Sequence, residues 1–295
     1  MKRRTLLKSA LALPLVNIST NAAPVLGAGG DALFTGSPGL DYALGGIVPG
    51  ELSCVMGPPC VGKTLLLLDL AARICRRYVK NVVIWSVHQP SVYLARKLAV
   101  KGARVAFAED TVFVDDCDRG MGERPSVVVV CSSSAEPRRG PGFAKMLTAE
   151  RRRGCAALVM DGWNTVAKRG GDTEVRGEGV FPTERWSHTL LSVAHISEAK
   201  ELALKHRVPV VLGVTTASLV DADAMAESFE LRAQIRIAAD RLVTLHRPAL
   251  YVENSKAVAA DENLVCLTGT SPRWWDTRCS RLRFDPGRLG FSTVV

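Results

Sequence analysis

The stretch Gly57-Pro58-Pro59-Cys60-Val61-Gly62-Lys63-Thr64 constrains this chain more than any other. It fits the spacing G-x-x-x-x-G-K-T in full. The apolar run Glu51 to Met56 stands before it and reads as a strand. The leucine-rich run from Lys63 to about Tyr78 follows and reads as a helix. Glycines let the backbone turn tightly and aim its N–H groups inward, which makes an anion cradle. The helix that follows adds its positive N-terminal end. Gly57, Pro58, Pro59, Cys60, Val61, Gly62, Lys63, Thr64 and Leu65 are therefore the expected phosphate-binding loop. Lys63 would reach the β- and γ-phosphates, and the Thr64 hydroxyl would ligate Mg²⁺. ATP and Mg²⁺ are the cofactors this pattern calls for.

A second group is needed to hold the metal. The run Ala156-Ala157-Leu158-Val159-Met160-Asp161 is an apolar strand ending in an acid. Asp161 takes that role, through water, in the expected site.

Strands and helices alternate along the chain. Strands are expected at Asn81 to Val87, Val127 to Cys131, Cys155 to Met160 and Val208 to Val214, then near Arg241 to His246, Leu264 to Thr268 and Arg281 to Phe284. Helices are expected at about Ser91 to Val100, Phe143 to Arg152 and Glu184 to His206. Residues 164–182 and 218–230 read as polar loops. Such alternation predicts an α/β fold with a mainly parallel sheet and helices on both faces.

Residues 31–295 are long enough for one such domain. An apolar share of 47% against 23% charged residues excludes a mainly disordered chain. The formal charge of +9 favours a polyanionic partner. The eight cysteines include no C-x-x-C pair and no zinc spacing with His188, His195, His206 or His246. Several sit in apolar runs and read as small buried side chains in a reducing cytoplasm. Residues 1–30 read as a basic tail. Arg3-Arg4 before a short apolar run resembles a twin-arginine export signal over residues 1–23, the alternative to a docking helix on a cytoplasmic protein. No apolar run reaches the roughly 18–20 residues of a membrane-spanning helix.

Further residues carry a resemblance to a known family. Thr35-Gly36-Ser37-Pro38-Gly39-Leu40-Asp41, Leu44-Gly45-Gly46-Ile47 and Pro49-Gly50-Glu51-Leu52 resemble the opening of RecA-fold ATPases of the RadA, KaiC and DnaB kinds. Val82 to Ser91 with Arg96, Leu231-Arg232 with Ala239-Asp240, Arg247, Tyr251, and Leu282 through Phe291 resemble the DnaB-type replicative helicases in particular. The resemblance implies a RecA-like fold with antiparallel strands at the C-terminal end. It implies a hexameric ring with ATP between subunits and single-stranded DNA in the pore. Arg176, Arg185 and Arg232 then become candidate DNA contacts.

Three positions depart from that family. His88 stands where the family has its catalytic Glu, and becomes the water-orienting candidate. Thr215 replaces a sensor Gln. Thr268-Gly269-Thr270 replaces a Lys-x-Arg that reaches the neighbour's γ-phosphate, with Arg273 or Arg278 nearby as substitutes. Two readings follow. One is a DNA-binding, helicase-like ATPase. The other is a catalytically weak ATP-binding regulatory or assembly protein of the RecA, RadA or KaiC type.

Overall fold

The computed structural model describes residues 32–86, 89–108, 127–131, 154–161, 188–216, 232–233, 235–247, 261–271 and 277–294. The basic tail, the 143–152 helix and the 164–182 and 218–230 loops expected from sequence lie outside these residues. So do His88, Arg176, Arg185, Tyr251 and Arg273.

The described strands form one ten-stranded sheet. They are β1 (Leu52–Gly57), β2 (Val82–Ser86), β3 (Val105–Ala108), β4 (Val127–Cys131), β5 (Ala157–Asp161), β6 (Val210–Thr215), β7 (Arg241–His246), β8 (Leu264–Thr270), β9 (Arg278–Asp285) and β10 (Gly290–Thr293). Their spatial order is β10-β9-β8-β7-β1-β6-β5-β2-β4-β3. From β3 through β7 every pairing is parallel. β8, β9 and β10 extend the sheet as antiparallel strands. The helices are α1 (Pro38–Leu44), α2 (Lys63–Tyr78), α3 (Ser91–Val100) and α4 (His188–His206).

β1 lies in the middle of the sheet and is buried throughout. Its side chains alternate between two apolar layers, as the period of a strand requires. Val55 joins Leu40 and Leu44 of α1, Leu66 and Leu70 of α2, and Leu94 and Leu98 of α3. Cys54 and Met56 join Ile196, Ala199 and Ala203 of α4 on the other side. Trp85 of β2, 1% exposed, packs in this second layer.

Two elements were not foreseen. β3 is four residues long, sits at the sheet edge and includes Ala106 and Ala108, poor strand formers, so no periodic signal marks it. α1 is only seven residues, too short for a clear helical period. Its signals were present: Pro38 in the first turn, and Gly45 at the C-cap with φ 67. Asp41 of α1 accepts from the Thr35 amide at 2.7 Å, the Thr35 hydroxyl at 2.7 Å and the Gly36 amide at 2.8 Å. The Thr35-to-Asp41 motif is thus a self-stapled turn, a structural device rather than a catalytic one.

Buried ion pairs tie the ends of the domain together. Glu51 pairs with Arg241 at 2.9 Å, and Arg241 also donates to the Gly46 carbonyl. Asp69 of α2 meets Arg73 at 2.8 Å and Lys101, just beyond α3, at 3.1 Å. Lys101 donates to the Leu289 carbonyl as well, and Arg73 to the Phe291 carbonyl at 2.7 Å. One carboxylate therefore joins α2, α3 and the β9–β10 hairpin. The expectation that cysteines are buried holds for Cys54 and Cys75, whereas Cys60 and Cys279 are exposed, because a loop apex and a peripheral strand carry them.

Candidate functional site

β1 ends at Gly57, and the loop passes into α2 at Lys63. Gly62 adopts φ 101, a left-handed conformation that side-chain-bearing residues rarely take. That turn aims the start of α2 at the loop's interior. Phe291 of β10 packs beneath it, 3.7 Å from where a Gly62 Cβ would lie.

Lys63 is buried, and its ammonium donates to the Gly57 and Pro58 carbonyls at 2.8 and 2.6 Å. Burial pulls its pKa down to about 8, against an opposing pull from Asp161 and then Cys60. Thr64, the next residue, donates its hydroxyl to Asp161 at 2.9 and 3.1 Å from the two carboxylate oxygens. Asp161 closes β5. Burial raises its pKa, with the Thr64 hydrogen bond and Lys63 opposing. The sequence placed this strand at Cys155 to Met160; the observed β5 takes in Asp161 itself. The pleat of a parallel strand carries that acid to the loop.

Neighbouring strands complete the site. Ser86, fully buried at the end of β2, lies in register with Asp161. Gln89 donates its amide to the Ser86 hydroxyl at 3.3 Å. Thr215 of β6 lies in register with Gly57. Parallel strands all present their C-terminal ends to this one crevice.

The residues fit a Mg²⁺-nucleotide by their chemistry. Thr64 and Asp161 are hard oxygen donors held within one hydrogen bond of each other. Lys63 is a buried cation whose only described polar partners are loop carbonyls, which makes a phosphate oxygen a better partner. Among the described residues no cluster of three His, Cys, Asp or Glu side chains could hold a metal.

Other expected residues fall elsewhere. Arg232 is half-buried, its Nη2 donating to the Thr244 hydroxyl of β7 at 3.4 Å. Burial, and then Arg236, lowers its pKa. Arg278 faces Gly269 across β8 and β9, stacks 5.5 Å above the Tyr42 ring, and donates to the Tyr42 carbonyl at 3.4 Å. The Thr268-Gly269-Thr270 departure also has a packing reason. A Cβ on Gly269 would lie 2.0 Å from the Ala43 carbonyl oxygen, so α1 rests directly on the strand backbone.

One feature escaped the sequence reading. The Arg247 guanidinium lies 5.9 Å above the Phe284 ring, and Phe284 packs at 5.3 Å on Phe291, the ring beneath Gly62. Arg247, just past β7, and Phe284 of β9 thus form a chain of contacts that reaches the loop through Phe291. The Leu282-Arg283-Phe284 and Arg247 segments were singled out only for their resemblance; their 37-residue separation hides the contact.

Fold and site together define a RecA-fold P-loop protein, with a mainly parallel sheet and an antiparallel C-terminal extension. Within that class the chain resembles the C-terminal ATPase domain of DnaB-type replicative helicases, from which it has diverged. The DnaB-like helicase C terminal domain family matches residues 32–111. One solved structure, described as an ATPase domain, superposes with a TM-score of 0.62 at 16% identity, covering 89% of this chain and 91% of that one. A DnaB-like replicative helicase, solved in a study of its interactions with primase, gives a TM-score of 0.61 at 15% identity. That likeness covers 89% of this chain but 62% of the helicase's own length. No curated protein sequence matches this chain. Among the described residues no helix is long and apolar enough to cross a membrane.

Proposed function

We propose that this chain binds ATP with Mg²⁺ at Gly57 to Leu65 and works as a helicase-like motor domain on single-stranded DNA. The observation that carries the reading is the Thr64–Asp161 contact beside the buried Lys63. Bound Mg²⁺ would neutralise charge on the β- and γ-phosphates, with Thr64 and Asp161 as its protein partners. Lys63 would exchange the Gly57 and Pro58 carbonyls for phosphate oxygens. The loop amides and the start of α2 would hold the remaining charge. Phe284 and Arg247 would flank the base. His88 would orient the attacking water, Arg176, Arg185 and Arg232 would serve DNA, and subunits would assemble as a hexameric ring in the cytoplasm, with residues 1–30 as a docking tail.

A second reading is favoured by a specific observation. Gly269 is held against α1, and Arg278 is engaged with Tyr42 of its own chain. The strand that should carry cations toward a neighbour's nucleotide therefore offers Thr268 and Thr270 instead. An arginine at such a position is worth about 10³–10⁵ in rate. This supports a nucleotide-gated assembly or regulatory protein with slow turnover.

Steady-state ATP hydrolysis with and without single-stranded DNA, beside Lys63→Ala, tests both. DNA-stimulated turnover lost in the variant supports the motor. Binding without turnover, lost in the same variant, sinks it and leaves the regulatory reading.

A further inference from the structure

The outer face of β8 and β9, opposite the α1 side, carries two cysteines that the nucleotide site does not use. Cys266 lies in register with Arg281, and Thr268 with Cys279. Residues two apart on a strand share a face, so Cys279 and Arg281 stand on the side that bears Cys266. The hydrogen-bond ladder fixes which kind of pairs these are. The Phe284 amide donates to the Asn263 carbonyl at 2.8 Å, and the Arg281 carbonyl accepts from the Val294 amide on the far side. Cys266–Arg281 and Thr268–Cys279 are therefore non-hydrogen-bonded pairs, whose side chains approach most closely. The right-handed twist of the strands shortens the diagonal that joins Cys266 and Cys279, which starts from about 7–8 Å between Cα atoms, so a bond across it needs a small shift of the strands.

The surroundings suit thiol chemistry. Cys279 is exposed and Cys266 half-buried. Arg281 flanks both, and His246 of β7 lies in register with Cys266 on its other side. Burial pushes the Cys266 thiol up, Arg281 draws it down, and Cys279 is close enough to push it up again.

We propose that Cys266 and Cys279 are a cross-strand dithiol pair that closes reversibly to a disulfide when a peroxide reaches this face. The Cys279 thiolate attacks one peroxide oxygen. The O–O bond breaks, hydroxide leaves, and Cys279 becomes a sulfenic acid while the peroxide is reduced. The Cys266 sulfur then attacks the sulfenic sulfur, the S–S bond forms, and water departs with the Cys266 proton. A thiol reductant reverses the step by exchange. This site is separate from the nucleotide reading and stands or falls without it.

The test uses the full-length reduced protein treated with hydrogen peroxide, then digested without reductant and analysed by mass spectrometry. The expected result is one linked peptide joining Cys266 to Cys279, two free thiols lost, and full recovery with dithiothreitol. Cys266→Ser should lose the link and leave Cys279 open to capture by dimedone as the sulfenic acid. Cys279→Ser should lose the link without a dimedone adduct at Cys266. Full alkylation of both thiols after peroxide overturns the proposal. So does a Cys279 link to Cys60 or to a second chain.

Discussion

Thr64 donates its hydroxyl to both carboxylate oxygens of Asp161, at 2.9 and 3.1 Å, across 97 residues of sequence. One residue begins the loop helix and the other ends β5, so the contact exists only because β5 lies near β1 with β6 between them. A hydroxyl and a carboxylate paired in this way are ready to share a hard cation.

That pairing predicts a metal dependence. In the native chain, Mg²⁺ should tighten ATP binding about tenfold or more, the scale of losing one metal-ligand contact or its support. Asp161→Ala should bind ATP with nearly the same Kd with and without Mg²⁺. Titration with a fluorescent ATP analogue in EDTA and in Mg²⁺ measures both. An undiminished Mg²⁺ effect in the variant would remove Asp161 from the metal site.

Lys63 predicts a pH dependence of binding. Its pKa is lowered to about 8 by burial, below the usual lysine value near 10.5. Below pH 8 the group is already charged and binding needs no proton. Above pH 8 the empty loop holds more neutral lysine, while phosphate favours the ammonium, so binding must take up a proton. Affinity should therefore fall as pH rises past 8, approaching tenfold per unit. Calorimetry at pH 8.5 in buffers of differing ionisation enthalpy should record proton uptake. No uptake there would mean that Lys63 is fully charged in the empty loop. The same shift has a stability sign: the depressed lysine favours the fold most above its unfolded pKa, and that contribution is lost as pH falls through 8.

Arg247 and Phe284 predict base recognition. Stacking of a base on an aromatic face is worth about 1–3 kcal/mol. Phe284→Ala should weaken ATP binding by roughly five- to a hundredfold on that scale, while binding of inorganic triphosphate stays unchanged. Competition of both ligands against a fluorescent nucleotide separates the two effects. Equal losses for both would assign Phe284 to packing under Gly62 instead.

Asp69 predicts a stability loss away from the site. Its side chain and that of Lys101 are 6% and 2% exposed. Asp69→Ala would leave a buried ammonium without its anion, at a cost of about 3–5 kcal/mol. Chemical denaturation should show a lower midpoint with an unchanged slope. A loss under about 1 kcal/mol would show that Lys101 escapes to solvent when its partner goes.

The nucleotide loop was legible because its information is local. Eight consecutive residues, a strand before and a helix after define Gly57 to Thr64, and the α2 bounds matched at both ends. Asp161 was legible for a related reason: an apolar strand ending in an acid is a short pattern. The alternation of elements also sufficed for the parallel sheet, since the strands from β1 to β9 other than β3 were read near their observed places. β3 and α1 were missed because four and seven residues are too few to show a period.

What the sequence by itself determined was therefore the place of the loop between strand and helix and the layered α/β class, both written in neighbouring residues. Only the tertiary structure decided which distant residues meet. It brought Thr64 to Asp161, stacked Arg247 on Phe284, closed α1 onto Gly269, and placed Cys266 diagonal to Cys279. Each of these depends on strand order and register, which arise from the packing of both sheet faces at once. No single segment carries that information.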